Sequence, residues 1–250
     1  MKTIIDINCD LGEGFGIYRF SDDREILQQV SSCNIACGFH AGDPSIISTT
    51  IRTAIANQVK IGAHPSYPDL QGFGRRSMRL NDQQLYDSIL YQISAVYAMT
   101  KSLGGKMHHV KLHGALYNDA SKDLHLAKIA FKAVHDLDKD LKVYGLPGSE
   151  HEEAANIIGI DFYPEGFADR LYESTGLLTD RKRPDSLLED PVKIAEQAIS
   201  ITKDQKTLSA DGQQIFIKAK TICVHGDHPG ILENLKTIKD EFLKENIEIG

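Results

Sequence analysis

Polar side chains recur at the ends of short β-branched segments, where one edge of a sheet would bring them together. Asn8, Asp10 and Glu13 follow the first such segment, and His40 and Asp43 follow the second. The later segments end on residues of the same kinds: His64, Lys111, His113, Glu165, Asp169, Arg170, His225 and Asp227. One histidine beside a strand is more often structural than catalytic. Four strands that end in histidine beside glycine or proline, however, indicate a backbone shaped around a ligand.

These residue types support two kinds of chemistry. Imidazole and carboxylate groups act as general acids and bases near neutral pH. They are also common ligands of zinc and manganese. His40 and Asp43 are close enough in sequence to face one pocket, but their spacing is not a zinc signature such as HExxH. The sequence therefore leaves acid–base chemistry and metal chemistry both open.

Cationic residues add a means of binding an anion. Residues 72–76, Gly-Phe-Gly-Arg-Arg, form a glycine-rich segment whose paired guanidinium groups suit a carboxylate or a phosphate. The alternative is a solvated loop in which Arg75 and Arg76 are ordinary surface residues. Lys111 is a second candidate cation. The sequence contains no Walker-type GxxxxGK[ST] loop, so a nucleotide would be held in another way or by a partner.

The elements that must position these residues alternate along the chain. Strands are predicted at residues 3–8, 34–37, 59–63, 109–112, 142–146, 160–163 and 221–224, with helical periodicity between most of them. Apolar spacing predicts helices over 85–103, after the capping residue Asn81, and over 231–242. Asp211 and Gly212 predict a hairpin before the last strand. Such strands form a barrel or an open doubly wound sheet, and both place the active site at the carboxyl ends of the strands.

The composition is that of one globular domain that does not bind nucleic acid. The 250 residues are 41% hydrophobic and 25% charged, without a low-complexity linker, so we predict a single domain over residues 1–250. A net charge of −7 argues against a nucleic-acid partner. No apolar run approaches the roughly 18–20 residues that cross a bilayer, and no export signal is visible, so we expect a cytoplasmic protein. The four cysteines lack CxxC spacing and are predicted to be reduced and buried.

Several long motifs, in order along the chain, resemble the LamB/YcsF family. They are DINCDLGE (6–13), NIACGFHAGDP (34–44), GAHPSYPD (62–69), GFGRR (72–76), KLHGALYN (111–118), PGS (147–149), EGFADRLY (165–172) and CVHGD (223–227). The resemblance implies a seven-stranded TIM-like (β/α) barrel related to the glycoside hydrolase/deacetylase fold. It also implies the activity of the A subunit of 5-oxoprolinase. That activity is the opening of 5-oxo-L-proline (pyroglutamate) to L-glutamate, with ATP as co-substrate and together with subunits B and C.

Within that activity, the strand-end residues receive expected roles. The expected catalytic residues are Asp10, His40, His64 and His113. The expected substrate-binding residues are Asn8, Glu13, Asp43, Arg75, Lys111, Glu165, His225 and Asp227. Asp10 or His64 would orient or deprotonate water, while His40 and His113 would stabilise charge or protonate the ring nitrogen. Arg75 or Lys111 would bind a carboxylate or a phosphate.

Two other functions remain open from the sequence. The first is a metal-dependent hydrolase or deacetylase of a small amide or carbohydrate, in which Asp10 and His40 help to hold a divalent ion. The second is a non-catalytic component that binds the substrate and leaves the chemistry to its partners, since a binding pocket also needs convergent polar groups.

Overall fold

Strands and helices alternate along nearly the whole chain. The computed structural model describes residues 2–18, 22–181, 183, 186–228 and 230–250. The strands in this part of the chain are β1 (Thr3–Leu11), β2 (Ser32–Ala36), β3 (Lys60–His64), β4 (Met107–Lys111), β5 (Lys142–Gly145), β6 (Asp161–Phe167), β7 (Lys206–Leu208), β8 (Gln214–Phe216), β9 (Thr221–Cys223) and β10 (Ile247–Ile249). The helices are α1 (Asp23–Ile26), α2 (Pro44–Ala56), α3 (Asp82–Ser102), α4 (Gly114–Ala120), α5 (Leu124–Leu137), α6 (Glu150–Ile158), α7 (Pro191–Asp204) and α8 (Ile231–Lys244).

Seven of the described strands are parallel and close into a barrel. Their order is β1-β2-β3-β4-β5-β6-β9, and the ring closes because β1 pairs with both β2 and β9. The predicted TIM-like barrel is therefore confirmed, and the open doubly wound sheet is excluded. β7 and β8 form the hairpin predicted at Asp211 and Gly212. β10, which the sequence analysis did not predict, pairs with the start of β1.

Alternation along β1 separates an apolar face from a polar one. Its apolar residues belong to the core between the barrel and the helices: Ile5, Ile7, Cys9 and Leu11. The alternate residues Asp6, Asn8 and Asp10 are buried as well, but they face the lumen. The strand predicted to end at Asn8 therefore continues to Leu11, because the polar residues are part of the strand. The lumen of this barrel is lined by polar groups.

Helix boundaries agree with the predicted caps and periodicity. Asn81 accepts a hydrogen bond from the backbone N–H of Gln84, whose side chain accepts one from the Asn81 N–H, so α3 begins with a capping box. The helix predicted over 231–242 is confirmed as α8. Among the described residues, no helix combines the length and the apolar character needed to cross a bilayer.

The four cysteines should be unreactive in the native protein. All of them lie in the described part of the chain and are free and buried, as predicted. Burial raises the pKa of every one of these thiols, to about 12 for Cys37, and only the thiolate is a good nucleophile. We expect maleimide to label none of them in buffer and all four in denaturant, counted by intact mass. Labelling of a native thiol would contradict the burial.

Candidate active site

Lys111 is the centre of a charged network that crosses the barrel lumen. Its Nζ lies 3.0 Å from Asp10 Oδ1 and 2.9 Å from Glu165 Oε1, and it donates to Cys223 Sγ at 2.9 Å. Burial by itself would lower the pKa of Lys111, but Asp10, Cys223 and Glu165 together raise it well above its ordinary value. The lysine is therefore charged at neutral pH. Each of its carboxylate partners is paired, as buried charges require.

Two asparagines form hydrogen bonds with the residues of this network. Asn8 lies one inward-facing position before Asp10 on β1, and its Nδ2 donates to Glu165 Oε1 at 3.0 Å. Asn34 Nδ2 donates to Asn8 Oδ1 (2.7 Å) and to Asp10 Oδ1 (2.8 Å). His109 Nε2 in turn donates to Asn34 Oδ1 at 2.7 Å. Asn8 and Glu165, predicted as substrate ligands, are fully buried in the lumen and in contact with Lys111.

Three histidines form a cluster above Lys111. His64 donates its Nδ1–H to the carbonyl oxygen of Lys111 (2.7 Å), and its Nε2 lies 3.3 Å from Asp10 Oδ2. His113 Nδ1 is 2.9 Å from His64 Nε2. His40 stacks on His113, with ring centroids 3.7 Å apart. Burial, together with the neighbouring histidines, lowers the pKa of both His40 and His113 well below the ordinary value, so both rings are neutral at pH 7.

His40 lies behind the cluster and is paired with Glu13. His40 Nε2 is 3.0 Å from Glu13 Oε1. Burial raises the pKa of Glu13 well above its ordinary value, and Asp10 and Asp227 raise it further. Among the described residues, no group within metal-ligand reach contains both Asp10 and His40. His40, in the loop after β2, instead pairs with Glu13, and the ligand pair of Asp10 and His40 stays a prediction.

A further histidine, His225, is held by a carboxylate. Its Nδ1–H donates to Asp169, at 2.9 Å and 3.0 Å from the two carboxylate oxygens, and its backbone N–H donates to the same side chain at 2.9 Å. Burial would raise the pKa of Asp169, but His225 holds it below its ordinary value. The sequence analysis placed Asp169 at a strand end without a role. The structure identifies it as the residue that orients His225.

Arginine side chains line the outer part of the site. Asp227 pairs with Arg75 and lies 3.6 Å from Arg181 Nη1. Arg75 and Arg181 are both partly exposed. Arg181 was not anticipated, because it follows no strand end and belongs to none of the recognised motifs. Arg76 pairs with Asp69 and is more exposed, which agrees with the surface alternative for that residue.

These groups converge on a cavity of about 870 Å³ at the carboxyl ends of the barrel strands. Its lining includes Asp10, Glu13, His64, Lys111, His113 and His225. Two glycines allow the loops to approach this closely. A Cβ on Gly226 would lie 2.2 Å from the Asp10 carbonyl oxygen, and Gly74 has φ +65° and abuts His113 and His40. The cavity therefore offers imidazoles, a buried carboxylate and a buried ammonium to one small polar ligand.

Asp43 is the N-cap of α2 and does not line this cavity. Its Oδ1 accepts from the backbone N–H groups of Ser45 (2.8 Å) and Ile46 (3.0 Å), and its Oδ2 accepts from Gly16 N–H (2.8 Å). It lines a second cavity of about 680 Å³, which shares Asp10, Glu13 and Asp227 with the first. The predicted contact of Asp43 with substrate stays a prediction.

Asp43→Asn tests that contact. Asparagine caps helices as well as aspartate does, so the variant should fold. If the Asp43 carboxylate contacts the substrate, we expect its loss to raise KM about tenfold at an unchanged kcat. The measurement is steady-state kinetics over a range of substrate concentrations. A KM within about twofold of the parent value would contradict the contact.

Comparisons with known proteins agree with this architecture. The model of the LamB/YcsF family matches residues 5–250. The A subunit of 5-oxoprolinase from Bordetella pertussis is 45% identical over 249 residues, which cover 100% of this chain and 99% of that protein. The crystal structure of a lactam utilization protein from Thermus thermophilus superposes with a TM-score of 0.92 at 39% identity, covering 100% of this chain and 99% of the other. A family 4 carbohydrate esterase from Streptomyces lividans has a TM-score of 0.50 at 8% identity, covering 98% and 92%, which is similarity of fold alone.

Proposed function

Because the chain belongs to the LamB/YcsF family, we propose that it is the A subunit of a 5-oxoprolinase. In this function it hydrolyses the lactam of 5-oxo-L-proline to L-glutamate, with ATP as co-substrate and together with subunits B and C. The observation that carries the proposal is the 45% identity to the A subunit of a 5-oxoprolinase over essentially the full length of both chains. The convergence of acid–base groups on one cavity supports it.

The chemistry of the substrate accounts for the use of ATP. A five-membered lactam is a weakly electrophilic amide, and phosphorylation of its oxygen makes the ring carbon electrophilic. Water adds to that carbon, and the ring C–N bond breaks as the nitrogen takes up a proton. The product is an acyl phosphate, which a second water hydrolyses to glutamate and phosphate. This sequence requires a group that activates water and a group that supplies a proton to nitrogen.

The residues of the cavity suit these two tasks. Asp10 and His64 are in contact and would orient the attacking water and take its proton. His225 has its Nδ1–H committed to Asp169, so it would exchange a proton with the ring nitrogen through Nε2. His113 would stabilise developing charge, and His40, stacked on it, would position its ring.

Binding of the substrate would use the cations of the site. The partly exposed Arg75 would bind the substrate carboxylate or a phosphate, since a guanidinium group pairs with either in a bidentate manner. Its present partner, Asp227, would be displaced or shared. Lys111 already contacts two carboxylates, so its role would be to hold Asp10 in its ionised form. Asn8 and Glu165 would support Lys111.

Glutamate release from 5-oxoproline tests the proposal. The chain would be assayed alone and mixed with its candidate subunits B and C, with and without ATP. We expect glutamate only in the ATP-containing mixture. No glutamate in any mixture of folded proteins would overturn the proposal. The second candidate would then lead, namely a metal-dependent hydrolase of a small amide or carbohydrate, which is favoured by the proximity of Asp10, His64 and His113.

A non-catalytic, substrate-binding role would give a different result. If the chain only binds the substrate, a variant of the site that still assembles would bind less substrate. In a single-turnover assay, its rate of ring opening per bound substrate would be unchanged. We expect the opposite for His225→Gln, which keeps the cavity but lacks an exchangeable imidazole proton. An unchanged single-turnover rate in this variant would favour the binding role.

A further inference from the structure

Two imidazole nitrogens in the cluster face each other. His64 donates its Nδ1–H to the Lys111 carbonyl oxygen at 2.7 Å, and His113 donates its Nε2–H to the Phe73 carbonyl oxygen at 2.8 Å. These two hydrogen bonds leave His64 Nε2 and His113 Nδ1 facing each other, 2.9 Å apart. An imidazole nitrogen that carries no proton can bind a metal ion through its lone pair, so the two nitrogens are placed to share one ion.

A carboxylate oxygen completes the donor set. Asp10 divides its two oxygens between different tasks: Oδ1 faces Lys111 (3.0 Å) and Asn34 (2.8 Å), whereas Oδ2 lies 3.3 Å from His64 Nε2. The three donor atoms, one each from Asp10, His64 and His113, all lie within 4.8 Å of one another. We propose that Asp10 Oδ2, His64 Nε2 and His113 Nδ1 form a binding site for one divalent first-row transition-metal ion.

The spacing of the donors fits a common coordination shell. Ligand atoms about 2.1 Å from a metal are about 3.0 Å apart at right angles and about 3.4 Å apart at the tetrahedral angle. The observed separations, 2.9 Å between the two nitrogens and 3.3 Å between His64 Nε2 and Asp10 Oδ2, each lie within about 0.1 Å of one of these values. The rings of His64 and His113 meet at 87°, so their in-plane lone pairs can converge on one point.

Two other groups of possible metal ligands share residues with this site, and they fit a metal ion less well. In the group of Glu13, His40 and His113, the two rings are stacked 3.7 Å apart and within 7° of parallel. A metal lies in the plane of each imidazole that binds it, and it cannot lie in two parallel planes at once. In the group of Asp10, Cys223 and His225, the sulfur accepts a hydrogen bond from the Lys111 ammonium, which would repel a cation at that position.

The donor set also indicates the class of metal. Two imidazoles and one carboxylate suit zinc, manganese, iron or nickel, whereas magnesium and calcium prefer an all-oxygen shell. Three protein ligands leave positions open to the cavity, which is the arrangement of catalytic rather than structural metal sites. Such an ion would lower the pKa of a bound water or polarise a carbonyl oxygen. Metal binding can be measured without substrate, so its test does not depend on the proposed lactam hydrolysis.

Titration of the chelator-treated full-length chain with Zn²⁺ or Mn²⁺ alone tests the site. We expect calorimetry and elemental analysis to give one ion per chain, with affinity lowered at least hundredfold in His64→Gln and in His113→Gln. His125→Gln is the matched control, because His125 is an exposed histidine paired with Asp82 on the helical surface. Its metal binding should equal that of the parent.

A second measurement requires no variant and so does not depend on the folding of one. In ¹⁵N-labelled protein, Zn²⁺ should shift the resonances of His64 Nε2 and His113 Nδ1 while both outer N–H groups stay protonated. Stoichiometric binding that is insensitive to both substitutions would overturn the site. A proton retained between the two nitrogens at saturating metal would overturn it as well. Absence of lactam hydrolysis with metal binding intact would count against the proposed function only.

Discussion

Under the proposed function, Asp10→Asn should lower glutamate formation by the chain mixed with subunits B and C by about 10³-fold, which is within the range for loss of a positioned acid–base group together with its charge. The substitution keeps the size of the side chain but removes the negative charge that faces His64 and Lys111. Burial alone would raise the pKa of Asp10, yet these two partners keep it well below its ordinary value. The ionised carboxylate is therefore the native state, and an amide cannot replace it. The measurement is the rate of glutamate release at saturating 5-oxoproline and ATP.

A surface aspartate supplies the control for this prediction. Asp82→Asn makes the same chemical change on α3, where Asp82 pairs with the exposed His125. We expect its activity to equal that of the parent. Circular dichroism and assembly with the partner subunits would establish that Asp10→Asn is folded. If a folded Asp10→Asn kept more than a tenth of the parent rate, Asp10 would not carry the chemistry.

Lys111→Met should lower the free energy of unfolding by about 3–5 kcal/mol, the usual cost of removing one partner from a buried ion pair. The ammonium contacts Asp10 and Glu165, and all three side chains are almost completely buried. Methionine fills a similar volume without charge. Both carboxylates would then be left in the lumen without their cation. Denaturant titration of the parent and the variant, monitored by two probes, gives the difference.

A second substitution separates charge from packing. Glu165→Gln in the Lys111→Met background removes one uncompensated carboxylate, so we expect the double variant to be more stable than Lys111→Met alone. Lys132→Met is the control, because Lys132 forms an exposed i,i+4 pair with Asp136. Its unfolding transition should match that of the parent. A Lys111→Met protein as stable as the parent would mean that the lumen is hydrated enough to solvate both carboxylates.

Much of the fold follows from local patterns. The run from Asp6 to Leu11 alternates polar and apolar residues, and both faces of this strand are buried. The alternation places the polar side chains in the lumen and the apolar side chains against the helices. Helix α3 was predicted from its cap and its apolar spacing, because both are properties of neighbouring residues. β10 was missed because its three residues are stabilised by pairing with β1, at the other end of the chain.

The candidate site was predicted in part. Polar residues at strand ends pointed to Asp10, His64, His113 and His225, all of which line one cavity. The same reasoning grouped Asp43 with them; its carboxylate caps α2, and its contact with substrate stays a prediction. It assigned no role to Asn34 and His109, which are hydrogen-bonded to each other. Both lie within strands, where a polar residue among alternating residues does not by itself indicate a site. A residue at a strand end can point into the cavity or turn back to a helix, and the sequence does not distinguish these.

The sequence by itself determined the seven strands, the polar residues near their carboxyl ends and the family to which the chain belongs. It did so because strand alternation, helix caps and ordered motifs are local, and each can be recognised over a few residues. Only the tertiary structure decided which donor meets which acceptor. Lys111 reaches Asp10 from 101 residues away and Cys223 from 112 residues away. Hydrogen bonds act over about 3 Å, so these contacts exist only once β1 has paired with β9 and the barrel has closed.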